Sequence, residues 1–387
     1  MMNRKEQTLC DKERCTGCSA CMNICPNGAI SMKKDLYGFE HPFVDRVKCD
    51  NCLLCVKTCP EQNPPSFSAP IKVYAAYAMQ DSIRRTSTSG GIARILSEYV
   101  MQSNGEVYAH SFSESFDLMC RKIASEKDLD RCAGSKYVQS SIVGSLKNLR
   151  EDLAAGKKVL FIGTPCQVAA IENLVANHRN NLITVSFICG GVPSISFFKD
   201  YISNLKIYDD IEDIRFRNNN EYGLYGINNS EIVFYKERWK CEYLIGFDEH
   251  IIQRESCFRC QYAKTERVGD ITIGDFWGID SINNSARDIS IGVSLCMITS
   301  EKGYGIIKEL HEKDLIWLEE HSLDQAIKCN PRLLSALERK NEVDLFRKLY
   351  ISKGFVNTIN KLYGNKYRIR RLKRLIKKYF NRVICHE

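Results

Sequence analysis

The pattern of apolar and polar positions predicts alternating strands and helices after the first 70 residues. Short apolar runs predict three strands, at 72–79, 159–163 and 182–189. Helical periodicity predicts three helices, over 90–101, 142–155 and 165–176. Because strands alternate with helices, this part of the chain is expected to be an α/β domain with a largely parallel or mixed central sheet.

The end of the chain has a different pattern. From about Arg332 the periodicity is helical, and 13 Lys or Arg but no acidic residue lie between Leu345 and His386, more than the whole formal charge of +8. Apolar residues recur among the basic ones, at Ile369, Leu372, Leu375, Ile376, Tyr379, Phe380 and Val383. This predicts a basic amphipathic helix, which suits an anionic membrane surface, an acidic partner or packing on its own domain.

The 19 cysteines include two copies of one spacing near the N-terminus. Each copy has cysteines separated by two, two and three residues and followed by proline; the residues are Cys15, Cys18, Cys21 and Cys25, then Cys49, Cys52, Cys55 and Cys59. This is the spacing of a bacterial ferredoxin with two 4Fe-4S clusters. In such ferredoxins the fourth ligand is exchanged, so Cys59 is expected to complete the first cluster and Cys25 the second.

Zinc knuckles and disulfides are the alternatives for paired C-x-x-C motifs. A zinc knuckle supplies two cysteines, so the third cysteine in each loop favours iron–sulfur clusters. Cys10 lies outside both motifs and is interpreted as a spare thiol. The segment is short and rich in cysteine, so metal binding is expected to supply its folding free energy.

Composition changes across the proline-rich stretch that follows the cysteine loops. The predicted organisation is a ferredoxin domain with α+β structure at 1–63, a linker at 64–70, an α/β domain at 71–331 and a helical basic tail at 332–387. Since no signal peptide or membrane-length apolar run is present, a cytoplasmic protein is expected, with the tail as an optional contact to the inner face of the membrane. Nucleic acid is not an expected partner.

Four more cysteines form a candidate third metal site. Thr164 and Pro165 predict a helix start that places Cys166 in the first turn, where the helix dipole favours thiolate. Cys189 ends the next predicted strand, so it reaches the same edge of a parallel sheet if the two strands pair. Cys257 and Cys260 add a C-x-x-C pair. Spacing alone leaves a cluster, zinc or no metal open.

A cofactor phosphate has candidate ligands in two segments. Ser89, Gly90 and Gly91 open a predicted helix just after Arg85, and their backbone N–H groups suit a pyrophosphate, although a simple helix cap fits them too. The second segment contributes polar side chains for a phosphate or a flavin edge: Ser135, Lys136, Tyr137 and Gln139. Lys136 has a solvated surface position as its alternative. Trp277, after the predicted strand at 270–275, is either a stacking ring or a core residue. No G-x-G-x-x-G follows a strand, so a nicotinamide site is not supported.

The chain resembles the beta subunits of coenzyme F420-reducing hydrogenases and dehydrogenases over about 71–310, in addition to its ferredoxin module. The resemblance rests on six segments in this order: TSTSGGIAR, GSKYVQSS, VLFIGTPCQVAAI, FICGGVPS, CFRCQYA and GDITIGDFWGID. It implies that 71–331 is a flavin and iron–sulfur oxidoreductase domain whose N- and C-terminal parts meet near 157. It also implies FAD and makes Cys166, Cys189, Cys257 and Cys260 ligands of a third 4Fe-4S cluster. Gly190 stands where a His is usual, so if that His serves the substrate in relatives, the substrate differs here.

The function expected from this resemblance is that of an iron–sulfur flavoprotein oxidoreductase. It would pass electrons from a low-potential donor protein or complex through 4Fe-4S clusters to FAD and a small organic acceptor. Many relatives in anaerobic bacteria accompany polysaccharide-synthesis genes, which suggests polysaccharide metabolism. The alternatives are an electron-transfer adaptor docked to a larger complex and a true F420-reducing subunit. No catalytic residue can be named from the sequence.

Overall fold

The computed structural model of the chain describes residues 9–205, 208–218, 221–279 and 289–384, with side chains through residue 374 except at 208. Its N-terminal part repeats one local pattern: a short helix begins after a left-handed residue, Ser19 or Leu53, each with φ of 62°. The elements of this part are α1 (Ala20–Ile24), β1 (Ile30–Lys34), β2 (Glu40–Val44) and α2 (Leu54–Thr58). The two helices pack on each other, and β1 pairs with β2 in antiparallel fashion.

The remaining strands form two sheets. They are β3 (Lys72–Ala78), β4 (Glu106–Phe112), β5 (Leu118–Ile123), β6 (Val159–Gly163), β7 (Leu182–Phe187), β8 (Asp213–Asn218), β9 (Glu221–Asn228), β10 (Glu231–Glu237), β11 (Ile271–Asp275), β12 (Ser294–Ile298) and β13 (Ile316–Glu320). The larger sheet has eight strands in the order β13-β3-β12-β11-β7-β6-β4-β5, and the smaller one has the order β10-β9-β8.

The larger sheet is mixed. Its four middle strands, β11, β7, β6 and β4, run parallel, whereas β12, β3, β13 and β5 add antiparallel pairs at the two sides. The expectation of a parallel or mixed sheet is therefore confirmed in its mixed form. The three predicted strands also lie where expected, each within two residues of its observed ends.

Helices cover both faces of this sheet because its middle strands are apolar on both sides. The helices of the domain are α3 (Asp81–Thr86), α4 (Ile92–Gln102), α5 (Glu126–Cys132), α6 (Val143–Ala154), α7 (Pro165–Leu174), α8 (Ile195–Ser203), α9 (Glu242–Asp248), α10 (Glu301–Glu312) and α11 (Leu323–Lys328). One face packs on α4 and α10, and the other on α6, α7 and α11.

The C-terminal helix α12 (Glu342–Ile384) is interrupted at Gly354, which has φ of 69°. On both sides of this residue the helix packs on the domain: Phe346, Phe355 and Tyr367 lie buried in one core with α8, α9 and the smaller sheet. Ile369, an apolar position of the predicted amphipathic helix, is 55% exposed. The apolar positions predicted for this helix from Leu375 onward lie outside the described side chains, which end at residue 374.

The N-terminal module shares its cores with the rest of the chain. Phe39 packs on Phe197 with ring centroids 5.9 Å apart, and Ala20 lies in the core formed by α6 and α7. The stretch expected to be a linker is also packed, since Phe67 lies 5.8 Å from the ring of Tyr262. The module therefore packs directly against the sheet domain.

Candidate functional site

The first ferredoxin cavity collects cysteines from both motifs. Its lining includes Cys15, Cys18 and Cys21 from the first motif and Cys59 from the second, around a volume of about 330 Å³ including its mouth. The exchange occurs because Cys25 and Cys59 end their short helices with extended backbone, which leads each of them away from its own loop.

The second cavity is complementary to the first. It is lined by Cys25 from the first motif and by Cys49, Cys52 and Cys55 from the second, with a volume of about 580 Å³ including its mouth. Each cavity thus has four thiols, three from one loop and one from the other. This is the donor set of a 4Fe-4S cluster, whose cysteine ligands each bind a different iron.

Cys10 lies inside the first cavity and is not a spare surface thiol. It is among the lining residues, and its thiol contacts those of Cys15 and Cys59. The hydrogen bond from Cys10, against the effect of burial and together with His41 and Arg254, lowers the pKa of Cys15 to about 4. The same thiol lowers the pKa of Cys59 to about 7. Sequence reasoning missed this role because Cys10 lies outside the repeated spacing.

The four later cysteines come together at one edge of the large sheet. Thr164 caps α7 in a capping box with Gln167, and this places Cys166 in the first helical turn as predicted. Cys189 follows the adjacent strand β7, and Cys257 and Cys260 lie at the short helix Glu255–Arg259. The thiols are close enough to raise one another's pKa. We call these residues the third thiol set.

Burial governs the protonation of the third thiol set. It raises the pKa of Cys166 well above its usual value, with the neighbouring thiols adding to the effect, and it raises that of Cys189 to about 11. The prediction that the helix start favours a Cys166 thiolate is therefore wrong for the metal-free chain. Desolvation outweighs the helix dipole where the sulfur has so little water around it.

Two buried arginines lie beside the thiols. Arg267 is 2% exposed, and its guanidinium donates to the backbone carbonyls of Tyr262 and Phe187 at 2.6 and 3.1 Å. Desolvation lowers its pKa to about 10, while Cys260 and Cys189 act in the opposite direction. Arg254 is 1% exposed and lies near Cys257 and Cys15. Within the described residues neither guanidinium has a carboxylate at ion-pair distance, so the region is suited to an anionic group.

In the part of the chain that the structure describes, no group of three or more His, Cys, Asp or Glu is placed to hold one ion. The ferredoxin thiols instead surround cavities.

The candidate cofactor residues are brought to the same edge of the large sheet as the third thiol set. Asp275 at the end of β11 pairs with Ser294, which in turn pairs with Ala76 of β3. The hydroxyl of Ser294 accepts the N–H of Gly90 at 2.9 Å. The N–H of Ser135 donates to Thr88 at 2.5 Å, which joins the two candidate segments. We call this edge the cofactor rim.

The glycine turn at the rim has a structural explanation of its own. A Cβ on Gly90 would lie 2.2 Å from the carbonyl oxygen of Ala76, so only glycine fits between β3 and β12. Gly91 has φ of 83° and precedes α4, and Ser89 donates to the carbonyl of Val293 at 2.9 Å. Close packing at Gly90 and the hydrogen bond of Ser89 account for this turn without a ligand, and no side chain caps the start of α4. Arg85 is exposed on α3.

The second candidate segment has mixed placements. Lys136 is partly buried and donates to the carbonyls of Cys132, Ala133 and Gly134 at 3.1, 2.9 and 3.3 Å, so it is not the solvated surface residue considered as an alternative. Tyr137 stacks on Phe247 with centroids 4.8 Å apart. Gln139 faces the ferredoxin module, since its amide donates to the carbonyl of Thr16 at 2.9 Å.

Aromatic and cationic side chains enlarge the rim beyond the predicted residues. Arg217 donates to Asp275 at 2.8 Å and lies over the ring of Tyr222, 4.4 Å from its centroid. Tyr222 stacks on Trp277 at 6.4 Å, and Trp277 is 43% exposed, so it is not a core residue. Arg217 and Tyr222 were missed because β8 and β9 were not predicted.

The described helices include none that is long and apolar enough to cross a bilayer.

Comparison with known proteins identifies two parts of the chain. Residues 14–63 match the 4Fe-4S dicluster domain, and residues 156–323 match the family described as the C terminus of the coenzyme F420 hydrogenase/dehydrogenase beta subunit. The coenzyme F420 hydrogenase subunit beta of Methanococcus voltae is 24% identical over 281 residues, which are 71% of this chain and 93% of that protein. A chain in the F420-reducing NiFe hydrogenase complex of Methanosarcina barkeri aligns with a TM-score of 0.48 and 17% identity, covering 78% of this chain and 94% of that one. Residues 14–63 are thus similar to a 4Fe-4S dicluster domain, and residues 156–323 are similar to the C-terminal part of coenzyme F420 hydrogenase/dehydrogenase beta subunits.

Proposed function

We propose that this chain is an iron–sulfur flavoprotein oxidoreductase, in which electrons from a low-potential donor protein enter at the dicluster domain and leave to a small organic acceptor at the cofactor rim. The observation that carries the proposal is the position of the third thiol set. It lies at the sheet edge that carries the rim, and Arg254 connects it to the first ferredoxin cavity. Division into an entry module at 1–63, a body at 71–331 and a tail at 332–387 belongs to the same proposal.

A third 4Fe-4S cluster bound by Cys166, Cys189, Cys257 and Cys260 is the first component. Four thiols in one buried region favour it, and so do the charges around them. Burial makes the free thiols neutral, whereas two guanidiniums without carboxylate partners among the described residues would offset the charge of a thiolate-bound cluster. Without a cluster, the charges of these two guanidiniums have no negative charge from the third thiol set beside them.

FAD at the cofactor rim is the second component, and the residues there fit it. Tyr137, Tyr222 and Trp277 offer ring faces to an isoalloxazine, and the guanidinium of Arg217, paired with Asp275, lies over the ring of Tyr222. The Nε–H of Arg215 is buried without a hydrogen-bond partner among the described residues, as a donor awaiting an acceptor would be. When bound, FAD supplies the conversion between one-electron and two-electron or hydride transfer. Gly90 contributes close packing here, not a free N–H.

Coenzyme F420 is the second candidate for the acceptor. It is favoured by the Methanococcus voltae relative, which is aligned over 93% of its length and is described as a coenzyme F420 hydrogenase subunit. Polysaccharide metabolism rests on the resemblance of the sequence alone and stays a prediction. An adaptor without its own substrate would bind a larger redox complex and lack turnover with a soluble acceptor.

Anaerobic purification followed by cofactor analysis tests the proposal. The expected content is about twelve irons and one FAD per chain. C257S should lower the iron content to about eight, whereas C329S, which removes an exposed thiol outside all three sets, should leave it unchanged. Eight irons in the wild type with no effect of C257S would contradict the third cluster, and absence of flavin would contradict the second component. Turnover with F420 against other acceptors then separates the two candidate substrates.

A further inference from the structure

Arg254 joins loops from three separate parts of the chain. Its Nε donates to the carbonyl of Cys15 at 2.6 Å, and Nη2 donates to the carbonyl of Glu40 at 2.6 Å. Nη1 donates to the side-chain oxygen of Gln139 at 3.2 Å. The side chain is 1% exposed, so these contacts hold the ferredoxin module against the sheet domain without water between them.

Three acceptors of Arg254 are neutral oxygens, and Nη2 also lies 3.4 Å from the ring nitrogen Nδ1 of His41. Within the described residues no Asp or Glu lies at ion-pair distance from the guanidinium. Its charge interacts instead with the sulfur atoms of Cys15 and Cys257. A cation buried in this way is unfavourable unless negative charge is supplied next to it. Cys15 is a ligand position of the dicluster domain, and its cluster is such a charge.

The backbone of Arg254 continues the contact toward the third thiol set. Its carbonyl accepts the N–H of Cys257 at 3.0 Å, and its own N–H donates to Val192 at 2.9 Å. One residue therefore connects the carbonyl of Cys15 with the amide of Cys257 through two hydrogen bonds. Gly17 permits this approach, since a Cβ there would lie 2.9 Å from Nη1, and its φ of 69° suits glycine.

We propose that Arg254 is a positioning residue for electron transfer between the first ferredoxin cavity and the third thiol set. It fixes the Cys15 loop against the segment of Cys257, and its charge stabilises the added negative charge that one-electron reduction places on the first ferredoxin cluster. Arg254 is neither oxidised nor reduced, and no bond forms or breaks. The onward step to Cys257 rests on the proposed function, whereas the effect on the first cluster rests on the dicluster domain alone.

Redox titration of the anaerobic full-length protein, followed by electron paramagnetic resonance, tests this role. In R254Q one of the two ferredoxin midpoint potentials should move to a more negative value and the other should stay, because reduction potential follows local charge. R254K keeps the charge and should retain the wild-type midpoint. R94Q is the matched control, since Arg94 is a partly buried arginine paired with Glu98 and Asp130 and contacts none of the cluster ligands.

Iron content and thermal midpoint are measured on each variant, because a purely structural role would lower stability without moving a potential. An R254Q protein with full iron and an unchanged midpoint overturns the proposal, as do equal shifts in R254Q and R254K. If R254Q loses its iron, the midpoint potential of R254K is the deciding measurement. A midpoint equal to that of the wild type supports the role of charge, and a shifted midpoint overturns it. Absence of a third cluster or FAD in the wild type contradicts the proposed function but leaves the first midpoint measurable.

Discussion

Cys59 lines the same cavity as Cys15, although the two residues belong to different cysteine motifs. The exchange predicts which variants share a defect. C15S and C59S should both damage the first cluster and C25S and C52S the second, each with loss of about four irons from the dicluster domain. Spectra of the remaining cluster, recorded by electron paramagnetic resonance, should match within each pair and differ between pairs. Matching spectra for C15S and C25S would contradict the exchange.

Removal of the Cys10 thiol should change the reactivity of Cys15 but not the iron content. C10A leaves four thiols in the first cavity, so the holoprotein should keep its iron. In the metal-free protein the hydrogen bond from Cys10 is the largest cause of the lowered pKa of Cys15, about 4. Without it the pKa rises, the thiolate fraction at pH 6 falls, and alkylation of Cys15 by iodoacetamide should slow severalfold. C132A, which changes a thiol that lines neither ferredoxin cavity, serves as the control; equal rates in C10A and the wild type would contradict the contact.

Gly90 should tolerate no side chain. G90A places a Cβ 2.2 Å from the carbonyl oxygen of Ala76 and 2.9 Å from the N of Ser294, both backbone atoms inside the sheet. The expected cost is about 3 kcal/mol or more of unfolding free energy, or failure to fold. G305A is the control, because a Cβ on Gly305 in α10 meets nothing within 4 Å and alanine favours the helix by about 1 kcal/mol. Thermal unfolding of both variants compares them; similar midpoints would be inconsistent with the close packing.

Glu172 should make stability depend on pH. Burial raises its pKa from 4.5 to about 7 against the attraction of Arg179, so the folded state keeps a proton that the unfolded chain releases. The contribution of this proton is fully present below pH 4.5 and is lost as the pH rises through 7, a change of up to about 3 kcal/mol. E172Q should remove this slope. Thermal midpoints of both proteins between pH 4.5 and 8 measure it, and parallel curves would be evidence against the raised pKa.

The C-terminal helix should divide into a part needed for folding and a part that is not. Tyr367 is 1% exposed and donates to Glu249 at 2.8 Å, and Lys366 pairs with the same carboxylate at 2.7 Å. Truncation after Lys361 removes both contacts and should lower the thermal midpoint sharply, whereas truncation after Arg374 should leave it near the wild-type value.

The truncation after Arg374 also tests whether the C-terminal end of the helix binds a membrane. Loss of binding to anionic vesicles on truncation after Arg374 would assign that end to a membrane surface. Retained binding would contradict the membrane role.

The dicluster domain could be predicted from the sequence because its ligands lie in two local motifs. Cys166 could be placed for the same reason, since a cap and a proline fix its helix start. Arg254 and Arg267 could not, because an arginine in a loop looks like a surface residue until the partners that bury it are known. Arg217 and Tyr222 were missed with the smaller sheet, whose strands show no clear alternation. The packing of α12 was missed because its many basic residues make the helix look solvent-exposed, although Phe346 and Phe355 lie on a buried face.

The position of β3 has a consequence for synthesis of the chain. β3 ends at Ala78, yet its two neighbours in the sheet, β12 and β13, begin at Ser294 and Ile316. At about 5–20 residues per second, an emerging β3 waits on the order of tens of seconds for either partner. During that time α3 and α4, which follow β3 in the chain, can pack on one of its faces, but both of its hydrogen-bonding edges lack their strand partners. Unpaired edges favour aggregation, so coexpressed chaperones should raise the yield of folded protein.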